Sequence, residues 1–286
     1  MTDGPYVLGH SDAELRRLEI QARIKDPITR RFLVEAGVGP GMRILDVGSG
    51  AGDVALLLAD LVGESGLVIG FDRSAAGVET ARTRVAARGI RNVSFVVGGT
   101  AELNFDAPFD AVVGRYVLQF QAEPSAMIAA LAAHAKPGAP IIFHELDWSG
   151  TRSAPPAPTY DRVCGWCIAA LERSGANTHM GLALAAAFTA AGLPEPMLRL
   201  EALIAAPEHA RGNLELIANI ARTLGPEMAR HGIAQPRELD VDTLVDRMHS
   251  EVLTNGSVLT AHLEIGAWAP CRSTGPGVPN LGGPSS

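Results

Sequence analysis

An α/β architecture, a doubly wound sheet flanked by helices, is what this sequence predicts, and three stretches carry the prediction. In the first, the apolar run Arg43-Ile44-Leu45-Asp46-Val47 meets the glycine-rich Gly48-Ser49-Gly50-Ala51-Gly52-Asp53 and then the Ala/Leu-rich Val54 to Ala59. That order reads as a buried strand, a tight turn and a helix starting near Asp53. In the second, Leu67 to Phe71 reads as another strand ending in Asp72, about 20 residues beyond the last glycine of the turn, where such sheets place an acid for a ribose diol. In the third, the apolar runs Val93–Val97 and Phe109–Gly114 continue the alternation of strand and helix.

The glycines let backbone N–H groups approach a ligand closely, and the helix behind them points its positive end at whatever sits there. A dinucleotide fingerprint, G-x-G-x-x-G, would need glycine at position 53, which is Asp53. The turn is therefore better matched to a ligand smaller than a dinucleotide, with Asp46 as a nearby carboxylate. Asp72 is the best single contact after the turn; as a purely structural residue it would cap the following helix, Ser74 to Arg88.

With 286 residues, 47% of them hydrophobic, the chain is long enough for one large domain or a core plus a cap. No apolar run reaches the ~20 residues of a membrane helix, and Met1-Thr2-Asp3-Gly4 does not open a signal segment, so the expectation is a soluble, cytoplasmic protein without stable membrane insertion. The net charge of −7, with 24 basic residues spread among 31 acids, argues against nucleic acid as a partner. Cys164 and Cys167 form a lone C-x-x-C without a second pair, which points to buried helical side chains and to no metal.

In chain order, Ser11–Ile24 and Ile28–Ala36 read as two helices separated by Asp26-Pro27. Pro124 suits the first turn of a helix that Lys136-Pro137-Gly138 ends. A fifth strand, Pro140–Phe143, runs into His144-Glu145-Leu146-Asp147, and alternation puts His144 on one face and Glu145 with Asp147 on the other. Thr151–Thr159 reads as a Pro/Ala linker. Helices follow at 160–174, 180–191, 210–224 and 242–253, strands at 197–204 and 258–267, and a Gly/Pro/Ser-rich tail at 274–286.

The pattern Asp46-x-Gly48-x-Gly50-x-Gly52, Asp72 after the second strand and the Lys136-Pro137-Gly138 turn resemble the class I S-adenosylmethionine-dependent methyltransferases. The likeness is strongest over Arg43 to Trp148 and is greatest to the ubiquinone/menaquinone-biosynthesis type acting on small molecules. It implies a Rossmann-like doubly wound seven-stranded sheet with an antiparallel final pair, an N-terminal helical cap (1–42), a cofactor-binding core (43–148), a helical lid with the last strands (149–271) and a tail (272–286). It implies S-adenosylmethionine held by Asp46, Gly48, Ser49, Gly50, Gly52, Asp72, Arg73, Gly99, Thr100, Ala101 and Arg115. Gly99 stands where the family usually has an aspartate for the adenine, which shifts that duty to Thr100, Ala101 and Glu102. The implied reaction is methyl transfer to a small-molecule acceptor by in-line displacement, for which positioning matters more than a base. His144, His179 and Tyr6 are the candidates for proton handling, and Tyr6 and His10 for the pocket wall. A homodimer is compatible with this reading. So are two other functional classes, a non-methylating protein on the same scaffold and, more remotely, a nicotinamide-dependent oxidoreductase.

Overall fold

A computed structural model describes residues 12–272, with side chains from Ile24 onward. Tyr6, His10 and the 274–286 tail lie outside the described residues. The elements are α1 (Asp12–Glu35), β1 (Arg43–Val47), α2 (Asp53–Val62), β2 (Leu67–Asp72), α3 (Ala75–Ala87), β3 (Val93–Val97), β4 (Ala111–Arg115), α4 (Pro124–Ala132), β5 (Pro140–Asp147), β6 (Arg152–Ala154), α5 (Pro158–Arg173), α6 (Met180–Ala190), β7 (Met197–Ala205), α7 (Arg211–Arg230), α8 (Pro236–Leu239), α9 (Leu244–Asn255) and β8 (Val258–Pro270).

β1 to β5 are parallel, while β8 runs antiparallel to β5, β6 and β7. The pairing path is β3-β2-β1-β4-β5-β8-β6, with β7 attached to β8. β6 and β7 both pair with Leu259 and Thr260, so they flank β8 on opposite sides, and β5 and β7 do the same further along. β6 thus continues the line of β5, and the eight strands make a sheet seven strands wide.

Both faces of the inner parallel strands β1, β2, β4 and β5 are covered, as crossover helices require, while the edge strand β3 is largely exposed. Ile44, Val68, Val113 and Ile142 pack with Leu33, Leu58 and Val78 on one side. Leu45, Val47, Val112, Ile141 and Phe143 pack with Ile128, Leu184 and Phe188 on the other. The late helices have a core of their own, where Tyr160, Cys164 and Cys167 of α5, Ile217 of α7 and Met248 of α9 gather with Trp148. Both cysteines are free and buried, and burial pushes the Cys164 thiol up to about 12.

Three expectations change. The two N-terminal helices are one, running through Pro27. An interior proline costs ~3 kcal/mol, but Ile28, Phe32 and Leu33 are buried immediately after it and Lys25 and Thr29 are tied to the sheet, so tertiary contacts outweigh local preference. The fifth strand continues past Phe143 to Asp147 because β8 pairs with it along its whole length. Part of the Pro/Ala linker is strand β6.

Candidate functional site

The three glycines of the β1–α2 turn all have left-handed backbones, with φ of 64° at Gly48, 49° at Gly50 and 86° at Gly52. Their surroundings differ. A Cβ on Gly48 would come 2.7 Å from Val117 Cγ2, and one on Gly52 would come 3.0 Å from Ala81 Cβ. On Gly50 it would meet nothing within 4 Å. Gly48 and Gly52 thus let neighbouring elements close in, whereas Gly50 leaves its backbone bare toward open space.

Asp72 ties this turn to the next strand. Its Oδ2 accepts from Gly50 N–H at 2.8 Å, and its Oδ1 accepts from Ser74 N–H at 2.8 Å. Capping of α3 falls instead to Ser74, whose Oγ accepts from Gly77 N–H at 3.1 Å. Beside the turn, both carboxyl oxygens of Asp46 and the Oγ of Ser49 are buried without a well-formed hydrogen bond, the Ala55 N–H acting only slightly on the Asp46 carboxyl. Burial raises Asp46 to about 8, so it is largely protonated at neutrality. Buried polar atoms without well-formed hydrogen bonds beside a bare glycine backbone suit a small polar ligand. At the far end, Gly98 N–H donates to Asp72 O at 3.0 Å, Thr100–Glu102 forms a single helical turn, and Gly99 N–H donates to Glu102 Oε2 at 3.2 Å. The Arg73 guanidinium reaches Gln121 Oε1 at 3.5 Å. Asp46, Gly48 to Gly52, Asp72, Arg73 and Gly99 to Ala101 therefore line one rim, at the carboxyl ends of β1, β2 and β3.

Arg115, at the end of β4, is buried and donates from Nη1 to Asp26 Oδ1 at 2.7 Å and to Thr29 Oγ1 at 3.1 Å, which makes it a clasp between the sheet and α1. The next residue, Tyr116, has φ of 58°, an unusual backbone for a bulky side chain and one that clusters at functional sites. Its hydroxyl donates to Glu264 Oε2 at 2.6 Å.

Glu264 is the hub of a buried polar cluster. It also pairs with Lys25 Nζ, and His144 Nε2 lies 2.6 Å from its Oε2. Burial alone would raise this carboxyl, but Lys25 and the bonds from His144 and His262 hold it well below the usual range. Burial lowers His144, so its ring is neutral; Nε2–H donates to the ionised carboxylate, and Nδ1 lies 3.2 Å from Thr29 Oγ1. Both ring nitrogens are engaged, and the ring is buried.

His179 is on the other side of β5. It is 56% exposed, its Nδ1 is 3.4 Å from Asp147 Oδ1, and its loop is held by Asn177 N–H donating to Gln119 O at 2.8 Å. The two histidines do not meet, in keeping with the alternation along β5; Glu145 faces away from His144, accepting from Val117 and Leu118 N–H at 2.8 and 2.7 Å. An apolar hollow of about 260 Å³ between α7 and α8, lined by Pro226, Ala229 and Leu239 among others, touches none of these residues. Among the described residues no group of side chains could hold a metal ion.

Sequence reading did not single out Lys25, Asp26, His262 or Glu264. The available signal was His262 and Glu264 two residues apart inside an otherwise apolar strand, which places both on one face of the sheet.

Residues 39–173 match the family model described as a methyltransferase domain. The ubiquinone/menaquinone biosynthesis C-methyltransferase UbiE of Shewanella sp. (strain ANA-3) is 32% identical over 119 residues, which is 41% of this chain and 47% of that protein. The chain thus spans about half the length of the curated relatives it matches. Among solved structures, the YcgJ protein of Bacillus subtilis superposes with a TM-score of 0.57 at 18% identity, covering 88% of this chain and 99% of that one. The cyclase SpnF superposes at 0.51 with 20% identity, covering 87% of this chain and 82% of its own. At these identities the structural likeness is one of fold.

Proposed function

We propose that this chain, whose residues 39–173 form a class I S-adenosylmethionine-dependent methyltransferase domain, moves a methyl group from that cofactor to O, N or C of a small-molecule acceptor. The observation that carries the reading is Gly50: its backbone lies bare toward open space while its N–H is fixed on the carboxylate of Asp72. Bound there, S-adenosylmethionine would supply a methyl group made electrophilic by its sulfonium. Asp72 would take the ribose diol, the Gly48–Gly52 turn with Asp46 and Ser49 the amino-acid end, and the Gly99–Ala101 turn the adenine.

On the acceptor side the chain's own contribution is orientation. Arg115 and Glu264 fix α1 over the ends of β4 and β5, and the strained Tyr116 backbone is held by its hydroxyl bond. A covered site of this kind keeps water away and holds a nucleophile in line, which supplies most of the rate in such a displacement. For an acceptor that must lose a proton, His179 is the better placed base: Asp147 holds Nδ1 and leaves Nε2 free, whereas both nitrogens of His144 are occupied. Among the described residues no helix is long and apolar enough to cross a membrane. The reading takes the acceptor to be a small molecule met in the cytoplasm.

The test is transfer of a labelled methyl group from S-adenosylmethionine to a panel of quinols, phenols and amines. Label appearing in at least one product is expected. Tight cofactor binding with no transfer across the panel would favour a non-methylating use of the scaffold, such as SpnF's cyclase chemistry represents.

A further inference from the structure

Among the described residues, four of the nine exposed large apolar side chains, Met197, Leu198, Leu200 and Ile204, lie on the edge strand β7. β7 pairs with β8 and, among the described residues, with no other strand. Leu198, Leu200 and Ile204 are 52%, 53% and 71% exposed and share one face by alternation. It is the face of Ile265, the cross-strand partner of Leu200, on which α6 sits. The opposite face carries Arg199 and Glu201, paired with Glu35 and Arg31 of α1. This edge carries an apolar stripe and neither proline nor lysine, and its pairing with β8 is regular from Met197 to Ala202, with an irregularity only between Ala202 and Ile204, so that stretch is a template for another strand.

We propose that β7 pairs antiparallel with β7 of a second copy of this chain, about a two-fold axis passing through Leu200. A two-fold perpendicular to the sheet keeps each residue on its own face, so the axis must pass through a residue rather than between two. Centred on Arg199 or Glu201, it would set like charges directly opposite. Centred on Leu200, it sets Arg199 of each copy opposite Glu201 of the other and joins the two apolar stripes through Leu200 itself. Opposite charges in facing positions stabilise a strand pair, and like charges disfavour it. The strand's own charge order therefore favours this register, since it alone sets Arg199 opposite Glu201, and the isologous contact closes on itself as a dimer. The result is one sheet continuous across two copies.

Sedimentation equilibrium of the full chain is expected to show a concentration-dependent dimer. Leu200→Lys, which sets two ammonium groups against each other on the axis, should weaken it at least tenfold. Val97→Lys, on β3 at the far edge of the sheet, should leave it unchanged. Should Leu200→Lys fail to fold, Leu200→Cys in a Cys271→Ser background decides: facing Cα atoms about 4.5–5.5 Å apart lie within disulfide range, so copper phenanthroline should cross-link the copies. Leu198→Cys, which faces Ala202 in this register, should cross-link far less. A native chain that stays monomeric throughout, a dimer indifferent to Leu200→Lys, or a dimer whose Leu200→Cys variant does not cross-link would each overturn the proposal.

Discussion

The glycine turn and the Glu264 cluster are both buried polar regions near the same strand ends, yet they are finished to different degrees. Around the turn, Asp46 and Ser49 keep polar atoms without well-formed hydrogen bonds and Gly50 borders open space. Around Glu264 the carboxylate itself is met by Lys25, Tyr116 and His144, and the loose end of the cluster is His262 Nδ1, buried without a partner. A region that the protein leaves incomplete is one a ligand completes; a region that completes itself holds the fold together. Substitutions at the turn should accordingly register in binding, and substitutions at Glu264 in stability.

The largest expected effect is on the second region. Glu264→Ala leaves Lys25 buried and uncompensated and should cost ~3–5 kcal/mol of unfolding free energy in urea. The double replacement Lys25→Met with Glu264→Leu should recover only the share due to the stranded Lys25 charge, because the Tyr116 hydroxyl and His144 Nε2 still lose their acceptor. A single-variant loss below ~1 kcal/mol would mean the cluster is not structural. Next in size, Asp72→Ala should weaken S-adenosylmethionine by ~1–3 kcal/mol, beside a smaller loss of urea stability from the freed Gly50 and Ser74 N–H groups. The reverse outcome, weaker folding with unchanged affinity, would make Asp72 a brace for the turn and blur the contrast between the regions.

That contrast also explains how much was legible in the sequence. The turn, the strands leading into it and the acid at the end of β2 are set by spacings within about 30 residues, and they stand where the sequence places them. Glu264 owes its meaning to Lys25, and His144 to Glu264, across 239 and 120 residues of chain. No local pattern announces such partners. The break expected at Pro27 failed for the same reason: contacts from α1 to β5 and β8 decide the helix, and they are not visible in the residues around the proline. β6 was hidden because a strand of three residues inside Pro/Ala-rich sequence has no period to detect.

The most gradual expected effect is a pH slope. Asp46 is raised to about 8 in the folded chain, so the native state binds the proton more tightly than the unfolded state does. Its contribution is fully present below the ordinary carboxylate range and is lost as pH rises toward 8, with a limiting slope of ~1.4 kcal/mol per pH unit. Asp46→Asn should flatten part of that decline in thermal denaturation between about pH 4 and 8. Glu145, also raised to about 8 by burial, should keep the rest. An unchanged slope in Asp46→Asn would mean that Asp46 is already ionised in the native state.

Calorimetric titration of the native chain and of Gly50→Val, with S-adenosylmethionine and with NADH, tests the central claim most directly. The account predicts that the native chain binds S-adenosylmethionine and not NADH, and that Gly50→Val folds but loses this binding, because its branched side chain both fills the open space over the turn and strains the left-handed backbone there. Undiminished affinity in a folded Gly50→Val, or NADH bound in preference by the native chain, would contradict it.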